Sequence, residues 1–128
     1  MMSGLQAAQI PFVDPPPALP SFLQIEPVGQ CNLRCRMCPV TYRDDSPATG
    51  RPAFMRFDHF IAIMEQFPHL QELHLQGMGE PMMHPQLFEM VTYAVRRGAT
   101  VTTNSNLTLM SHRRAEQCIT SGLSVLHV

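Results

Sequence analysis

The stretch LQELHLQGMGEPMMHPQLFEMVTYAVRRGATVTTNS (residues 70–105) decides the fold, because two hydrophobic periods alternate within it. In LQELHLQ (70–76) two leucines alternate with polar residues, which is the period of a strand. HPQLFEMVTYAVRRG (84–98) has apolar residues at three- and four-residue steps, which is the period of a helix, and ATVTTNS (99–105) returns to a strand pattern. A helix between two strands predicts a right-handed crossover and parallel strand pairing.

The same alternation continues on both sides of this unit. The sequence predicts strands at SFLQIEPV (21–28) and LSVLHV (123–128), and helices at residues 58–67 and at SHRRAEQCITSG (111–122). The predicted order is therefore βαβαβαβ, with long helical crossovers between the strands. This order places the chain in the α/β class with parallel strands.

Polar residues within the first two strands distinguish between two α/β architectures. Strands of a doubly wound sheet are covered on both faces and are apolar throughout, whereas a barrel strand can turn polar residues toward a lumen. Gln24, Glu26, Glu72 and His74 are the residues expected to face such a lumen. We therefore expect a partial (βα) barrel; the alternative is an open sheet with partly solvated strands.

The domain organisation follows from the proline content and the length. The first 20 residues include five prolines and predict an irregular leader, and residues 39–56 predict a long loop. A closed barrel takes roughly 250 residues, so residues 21–128 correspond to about half of one, ending within the fourth strand. We expect them to be the front portion of a longer protein.

The bulk composition excludes several function classes. With 45% hydrophobic and 15% charged residues the chain resembles one globular unit, and its formal charge of −1 gives no electrostatic case for nucleic acid or an anionic membrane surface. The apolar runs fall far short of the ~20 residues of a membrane span, and the first residues lack the layout of a secretory signal. Four cysteines without an export signal favour the reduced cytoplasm, with metal binding or catalysis ahead of disulfides.

Three of these cysteines lie within CNLRCRMC (31–38), separated by three and then two residues. Cys31, Cys35 and Cys38 can converge from one loop on an iron–sulfur cluster, and a cubane would keep one iron open because it normally takes four thiolates. The alternative interpretation is a structural zinc site, whose fourth ligand would be Cys118 or one of six histidines. Spacing alone leaves both open, although the third helix is expected to bury Cys118 as an inert thiol.

Two further segments follow the second and third predicted strands. In GMGEP (77–81) the glycines permit close approach of a ligand to the backbone, so free NH groups could meet a carboxylate while carbonyls and Glu80 accept from an ammonium group. In TTNSN (102–106) the amides and hydroxyls could bind a ligand. Each segment alone is also explained as an ordinary turn.

Taken together, these motifs resemble the radical S-adenosylmethionine (radical SAM) enzymes over residues 22–128. CNLRCRMC is similar to the cluster loop of that family, and GMGEP is similar to its GGEP motif. The resemblance implies that the three cysteines bind a [4Fe–4S] cluster whose open iron is chelated by S-adenosylmethionine, and that reduction yields a 5′-deoxyadenosyl radical. The residues implied to contact the cofactor are Met37 near the adenine, Gly77, Met78, Gly79 and Glu80 at the methionine end, and Asn104, Ser105 and Asn106.

The resemblance also implies partners. It predicts a reductant protein such as a flavodoxin or ferredoxin and a substrate that is a peptide or a small molecule, with the branch that carries SPASM-type C-terminal extensions the most similar one. Two alternatives from other classes stay open: a zinc-binding module without catalysis, and a truncated product without activity.

Overall fold

The computed structural model describes residues 18–43 and 53–128. In these two stretches the predicted order βαβαβαβ is confirmed. The strands are β1 (Phe22–Ile25), β2 (Glu72–Leu75), β3 (Thr100–Asn104) and β4 (Val125–His127), and the helices are α1 (Phe57–Glu65), α2 (Leu87–Arg96) and α3 (His112–Thr120).

The four strands form one parallel sheet in the order β1-β2-β3-β4. Each strand therefore pairs with its neighbour in sequence, as in a βα barrel, whereas a doubly wound sheet reverses its strand order at a switch point. The α/β class and the partial barrel predicted from the sequence are both confirmed.

The sheet has one apolar and one polar face. Leu73 pairs with Val101, and both are buried on the face that the helices cover. On the opposite face His74 pairs with Thr102, and His74 Nδ1 lies 2.7 Å from the Thr102 hydroxyl. Because side chains alternate across a strand, the register keeps these two sets apart.

The core lies between the apolar face and the first two helices. Its fully buried side chains include Phe60 and Met64 of α1, Leu87, Met90, Val91 and Ala94 of α2, and Leu73, Leu75 and Val101 of the sheet. The third helix contributes less, since none of its residues is buried. Cys118 is half-buried against this core, and desolvation raises the pKa of its thiol, in keeping with the inert role expected for it.

The helix predicted to begin at residue 84 starts later, at Leu87. Pro81–Met83 forms a separate 3-10 turn, and the buried His84 holds the segment that follows it. Its Nδ1 accepts from the Gln86 NH at 3.0 Å, and its Nε2 lies 2.8 Å from the Met55 carbonyl oxygen. The helix ends close to the predicted position, where Gly98 takes a φ of +93°.

Parts of two predicted irregular segments lie outside the described residues, namely 1–17 of the leader and 44–52 of the long loop. The described end of that loop returns to the first strand, since Phe54 forms an antiparallel bridge with Val28 and the Met55 NH donates to the Pro27 carbonyl at 2.8 Å. Within residues 18–43 and 53–128 no helix is long and apolar enough to cross a bilayer.

Candidate functional site

The loops that follow β1, β2 and β3 line one cleft at the carboxyl edge of the sheet. Parallel strands all end at this edge, which is where βα barrels place their active sites. The cleft has a volume of about 210 Å³. Its lining residues are Cys31, Leu33 and Cys35 of the first loop, Gln76, Gly79, Glu80 and Pro81 of the second, Asn104, Ser105 and Asn106 of the third, and Val128.

Most of the site residues predicted from the sequence lie in this cleft. The fold brings together Cys31, Cys35, Gly79, Glu80, Asn104, Ser105 and Asn106. Four others lie outside its lining, namely Met37, Cys38, Gly77 and Met78. The side chain of Met37 is 92% exposed, so its proposed contact with an adenine stays a prediction.

The cysteine loop is a tight turn with accessible sulfur. The Cys38 NH donates to the Cys35 carbonyl at 2.9 Å, and the Thr41 hydroxyl donates to the same carbonyl at 2.9 Å. Cys35 is exposed, whereas Cys31 and Cys38 are half-buried. In the described part of the chain no three His, Cys, Asp or Glu side chains are already arranged around a metal position, so metal ligation stays a prediction.

The donor set of this loop fits an iron–sulfur cluster. Thiolates are the protein ligands of such clusters, and Cys31 Sγ accepts a hydrogen bond from the Leu33 NH at 3.4 Å, as a thiolate can. The fourth cysteine, Cys118, packs on the hydrophobic core and does not line the cleft.

Three NH groups of the glycine loop already have acceptors. Met78 and Gly79 donate to Glu26 Oε1, and the Glu80 NH donates to the Gln30 carbonyl at 2.9 Å. The sequence-based expectation of free NH groups for a carboxylate therefore does not hold for residues 78–80. The carbonyl oxygens of residues 77–79 accept no hydrogen bond from any described residue, so the loop offers acceptors that suit an ammonium group.

Gly77 and Gly79 both lie against atoms of the first loop that leave no room for a Cβ. A Cβ on Gly77 would collide with the carboxylate of Glu26, and a Cβ on Gly79 would collide with the carbonyl oxygens of Val28 and Gln30. The backbone of the second loop can therefore lie this close to the first only with glycine at position 79, and Gly77 leaves room for the Glu26 side chain.

Glu80 joins the second loop to the third from a buried position, with 3% of its surface exposed. Its Oε1 accepts from the Met82 NH at 2.9 Å and from the Ser105 hydroxyl at 2.8 Å, while Oε2 accepts from the Asn106 NH at 2.8 Å. The bonds from Ser105 and Asn106 fix the two loops relative to each other, whereas the bond from Met82 caps the turn that follows Glu80. They make Glu80 and Ser105 supports of the cleft, whatever contact they make with a ligand.

We expect Glu80→Gln to destabilise the protein because an amide offers only one acceptor oxygen. Its NH₂ group would face either the Asn106 NH, or the Met82 NH and the Ser105 hydroxyl. In both cases a buried donor loses its acceptor. The expected loss in the free energy of unfolding is about 1–3 kcal/mol, measured by urea denaturation. Glu65→Gln, at the exposed end of α1, should change it by less than about 0.5 kcal/mol; equal stability of both variants would contradict the role of Glu80.

Asn104 offers an unused acceptor. Its Oδ1 is buried and has no hydrogen-bond partner among the described residues, although the residue lines the cleft. Buried polar atoms are nearly always satisfied, so this atom suits a hydroxyl or ammonium donor of a bound ligand. The preceding Thr103 is fully buried and donates to the Leu75 carbonyl at 2.6 Å.

Sequence reasoning missed two residues of the site. Glu26, predicted only to face a lumen, also accepts from the glycine-loop NH groups. Gln76 lines the cleft, and its Oε1 lies 3.1 Å from His74 Nε2. Both residues directly follow a strand, and this position in the sequence could have identified them as site residues.

A larger groove of about 540 Å³ lies on the outer, helical side of the sheet. Its lining combines aromatic and polar side chains of the three helices, including Phe57, Phe88, Tyr93 and Gln117, and no cysteine. The chemistry-bearing motifs all lie at the strand ends, so the smaller cleft is the candidate active site.

The family model of the Radical SAM superfamily matches residues 25–128. Among curated proteins, the chain is 29% identical over 109 residues to the tungsten-containing aldehyde ferredoxin oxidoreductase cofactor-modifying protein of Pyrococcus furiosus, covering 83% of this chain and 29% of that protein. It is 26% identical over 99 residues to the AdoMet-dependent heme synthase of Nitratidesulfovibrio vulgaris, covering 77% of this chain and 26% of that protein. The chain thus spans less than a third of the length of these relatives.

Solved structures show the same fold. The open conformation of BtrN superposes with a TM-score of 0.69 at 21% identity, over 85% of this chain and 49% of that one. BtrN in complex with AdoMet and 2-DOIA gives a TM-score of 0.68 at 19% identity, over 85% of this chain and 45% of that one.

Proposed function

The chain belongs to the radical SAM superfamily, and on that premise we propose that it forms the cofactor-binding part of an enzyme that cleaves S-adenosylmethionine reductively. Cys31, Cys35 and Cys38 would hold a [4Fe–4S] cluster. Residues 21–128 would be the N-terminal part of the core domain, preceded by the proline-rich segment.

One observation carries this proposal: the cysteine loop and the glycine loop meet in one cleft. The glycine loop lies against residues 26–30, immediately before the first cysteine, through hydrogen bonds to Glu26 and Gln30. A molecule bound to the carbonyls of the glycine loop would therefore lie next to the thiols. A cluster with one open iron needs its chelating ligand in that position.

The polar atoms of the cleft suit the polar parts of S-adenosylmethionine. Carbonyl oxygens of the glycine loop would accept from its ammonium group, and the unpartnered Asn104 Oδ1 would accept from an ammonium or hydroxyl group. When bound, the cluster and S-adenosylmethionine supply the 5′-deoxyadenosyl radical that abstracts hydrogen from a substrate. The protein contributes orientation and a site at the strand ends.

The remaining assignments belong to the same proposal. The substrate would be a peptide or a small molecule, and the electron would come from a protein such as a flavodoxin or ferredoxin. A cytoplasmic location agrees with the need for reduced thiols.

Anaerobic reconstitution with iron and sulfide tests the proposal. We expect about four iron and four sulfide per chain, brown absorbance, and an EPR signal after dithionite reduction that changes when S-adenosylmethionine is added. The activity assay uses the protein with a complete barrel. After reconstitution and addition of reductant and S-adenosylmethionine, chromatography should detect 5′-deoxyadenosine. One bound zinc with neither iron nor sulfide would contradict the proposal and support the zinc-binding alternative.

A further inference from the structure

A closed ring of side-chain hydrogen bonds joins the first loop to the third beside Cys31. Asn106 Nδ2 donates to Asn32 Oδ1 at 3.1 Å, and Asn32 Nδ2 donates to the Thr108 hydroxyl at 2.8 Å. The Thr108 hydroxyl in turn donates to Asn106 Oδ1 at 2.7 Å. Three side chains from two loops therefore fix one another.

The Thr108 main-chain NH fixes which way the Asn106 amide faces in this ring. The Thr108 main-chain NH also donates to Asn106 Oδ1, at 3.0 Å, and a main-chain NH can only donate. The oxygen must therefore face Thr108, which leaves Nδ2 facing Asn32 and the Cys31 sulfur, 3.6 Å away. The Asn106 NH donates to Glu80, so the backbone is held as well.

We propose that Asn106 is a positioning residue of the cluster site, whose amide donates to the Cys31 sulfur and thereby raises the reduction potential of the cluster. Hydrogen bonds to ligand sulfur are among the features that set cluster potentials, because they stabilise the added negative charge of the reduced state. The Leu33 NH, 3.4 Å from the same sulfur, is a second such donor. This inference rests on the proposed function.

The neighbouring asparagines thus take different roles. Asn106 has both side-chain polar atoms engaged within the protein, whereas Asn104 keeps a buried acceptor without a partner in the described residues. We assign ligand contact to Asn104 and control of the Cys31 sulfur to Asn106. The sequence TTNSN alone does not show that Asn104 and Asn106 have these different roles.

Asn106→Asp is the variant that tests this assignment. It preserves the shape and the oxygen that faces Thr108, but it replaces the donor near the sulfur by a second oxygen and adds a negative charge. Spectroelectrochemistry of the reconstituted protein, in which one electron from the electrode enters the cluster without proton transfer, should give a more negative midpoint potential for Asn106→Asp than for the wild type. At a fixed applied potential the ratio of reduced to oxidised cluster should fall by about threefold to tenfold. Asn106→Leu, which removes the donor without adding a charge, should therefore shift the potential in the same direction by a smaller amount.

Thr108→Val provides an independent variant, because it breaks the ring while keeping the Asn106 amide. We expect a smaller shift in the same direction, and Thr108→Ser should restore the wild-type potential. Thr120→Val, which removes an exposed hydroxyl on α3 that donates to the Glu116 carbonyl, is the matched control and should not shift the potential.

The outcomes separate this inference from the proposed function. A wild-type protein that binds no cluster contradicts both. A wild-type cluster whose potential is unchanged in Asn106→Asp overturns the role of Asn106 alone. If Asn106→Asp retains no cluster, the decision passes to Asn106→Leu, which removes the donor without adding a charge, and an unchanged potential there overturns the inference.

Discussion

Cys35→Ala is expected to abolish stable iron–sulfur binding while leaving the fold intact. The Cys35 side chain is exposed, and the hydrogen bonds that its residue makes use the main-chain carbonyl, which alanine retains. The substitution therefore removes one of three thiolates without removing any packing. Since a [4Fe–4S] cluster normally takes four ligands, a loop reduced to two thiolates should retain less than about a tenth of the wild-type iron and sulfide after desalting.

The matched control is Cys118→Ala, which removes a thiol from α3 that packs against the core. We expect this variant to keep the full iron and sulfide content, with at most a modest loss of stability. Iron and sulfide assays, together with the brown absorbance, compare the two variants under identical reconstitution. Full iron content in Cys35→Ala would refute the assignment of the cysteine loop.

The strands and helices were predictable because their signals are local. Leu73 and Leu75 alternate with polar residues over only seven positions, and the apolar residues of α2 recur within three turns. Such periods depend on backbone geometry alone. The parallel order followed from the long crossovers between the strands, and the structure confirms it.

The interior of the cleft was less predictable, because it depends on partners distant in sequence. Glu26 accepts a hydrogen bond from the Met78 NH, 52 residues away in sequence. Asn32 donates one to the Thr108 hydroxyl, 76 residues away. The sequence shows which side chains can form hydrogen bonds but not which of several donors reaches a given acceptor. The loop NH groups were expected to be free for this reason.

The late start of α2 has a similar cause. Pro85 is compatible both with the first turn of a helix and with an extended segment before it. The buried His84 favours the extended segment through its bonds to Met55 and Gln86. Met55 belongs to the loop before α1. A contact of this kind is set by the tertiary fold.

Gly79→Ala is expected to destabilise the junction between the glycine loop and the segment before the first cysteine. The new Cβ would overlap the carbonyl oxygens of Val28 and Gln30, which are backbone atoms that cannot rotate away. The Gln30 carbonyl is also the acceptor of the Glu80 NH, so relieving the overlap would break that hydrogen bond. We expect the free energy of unfolding to fall by about 3 kcal/mol or more, measured by urea denaturation.

Two other glycines test whether the effect comes from this overlap. Gly77→Ala would overlap the side chain of Glu26, which can move at the cost of its bonds to the glycine loop, so it should cost less than Gly79→Ala. Gly29→Ala would place its Cβ 3.9 Å from the nearest other atom, on Arg43, and should leave stability unchanged or raise it by up to about 1 kcal/mol. The expected order of stability is therefore Gly29→Ala, Gly77→Ala, then Gly79→Ala. Equal losses in all three would show that backbone flexibility, rather than the close approach of the two loops, requires glycine here.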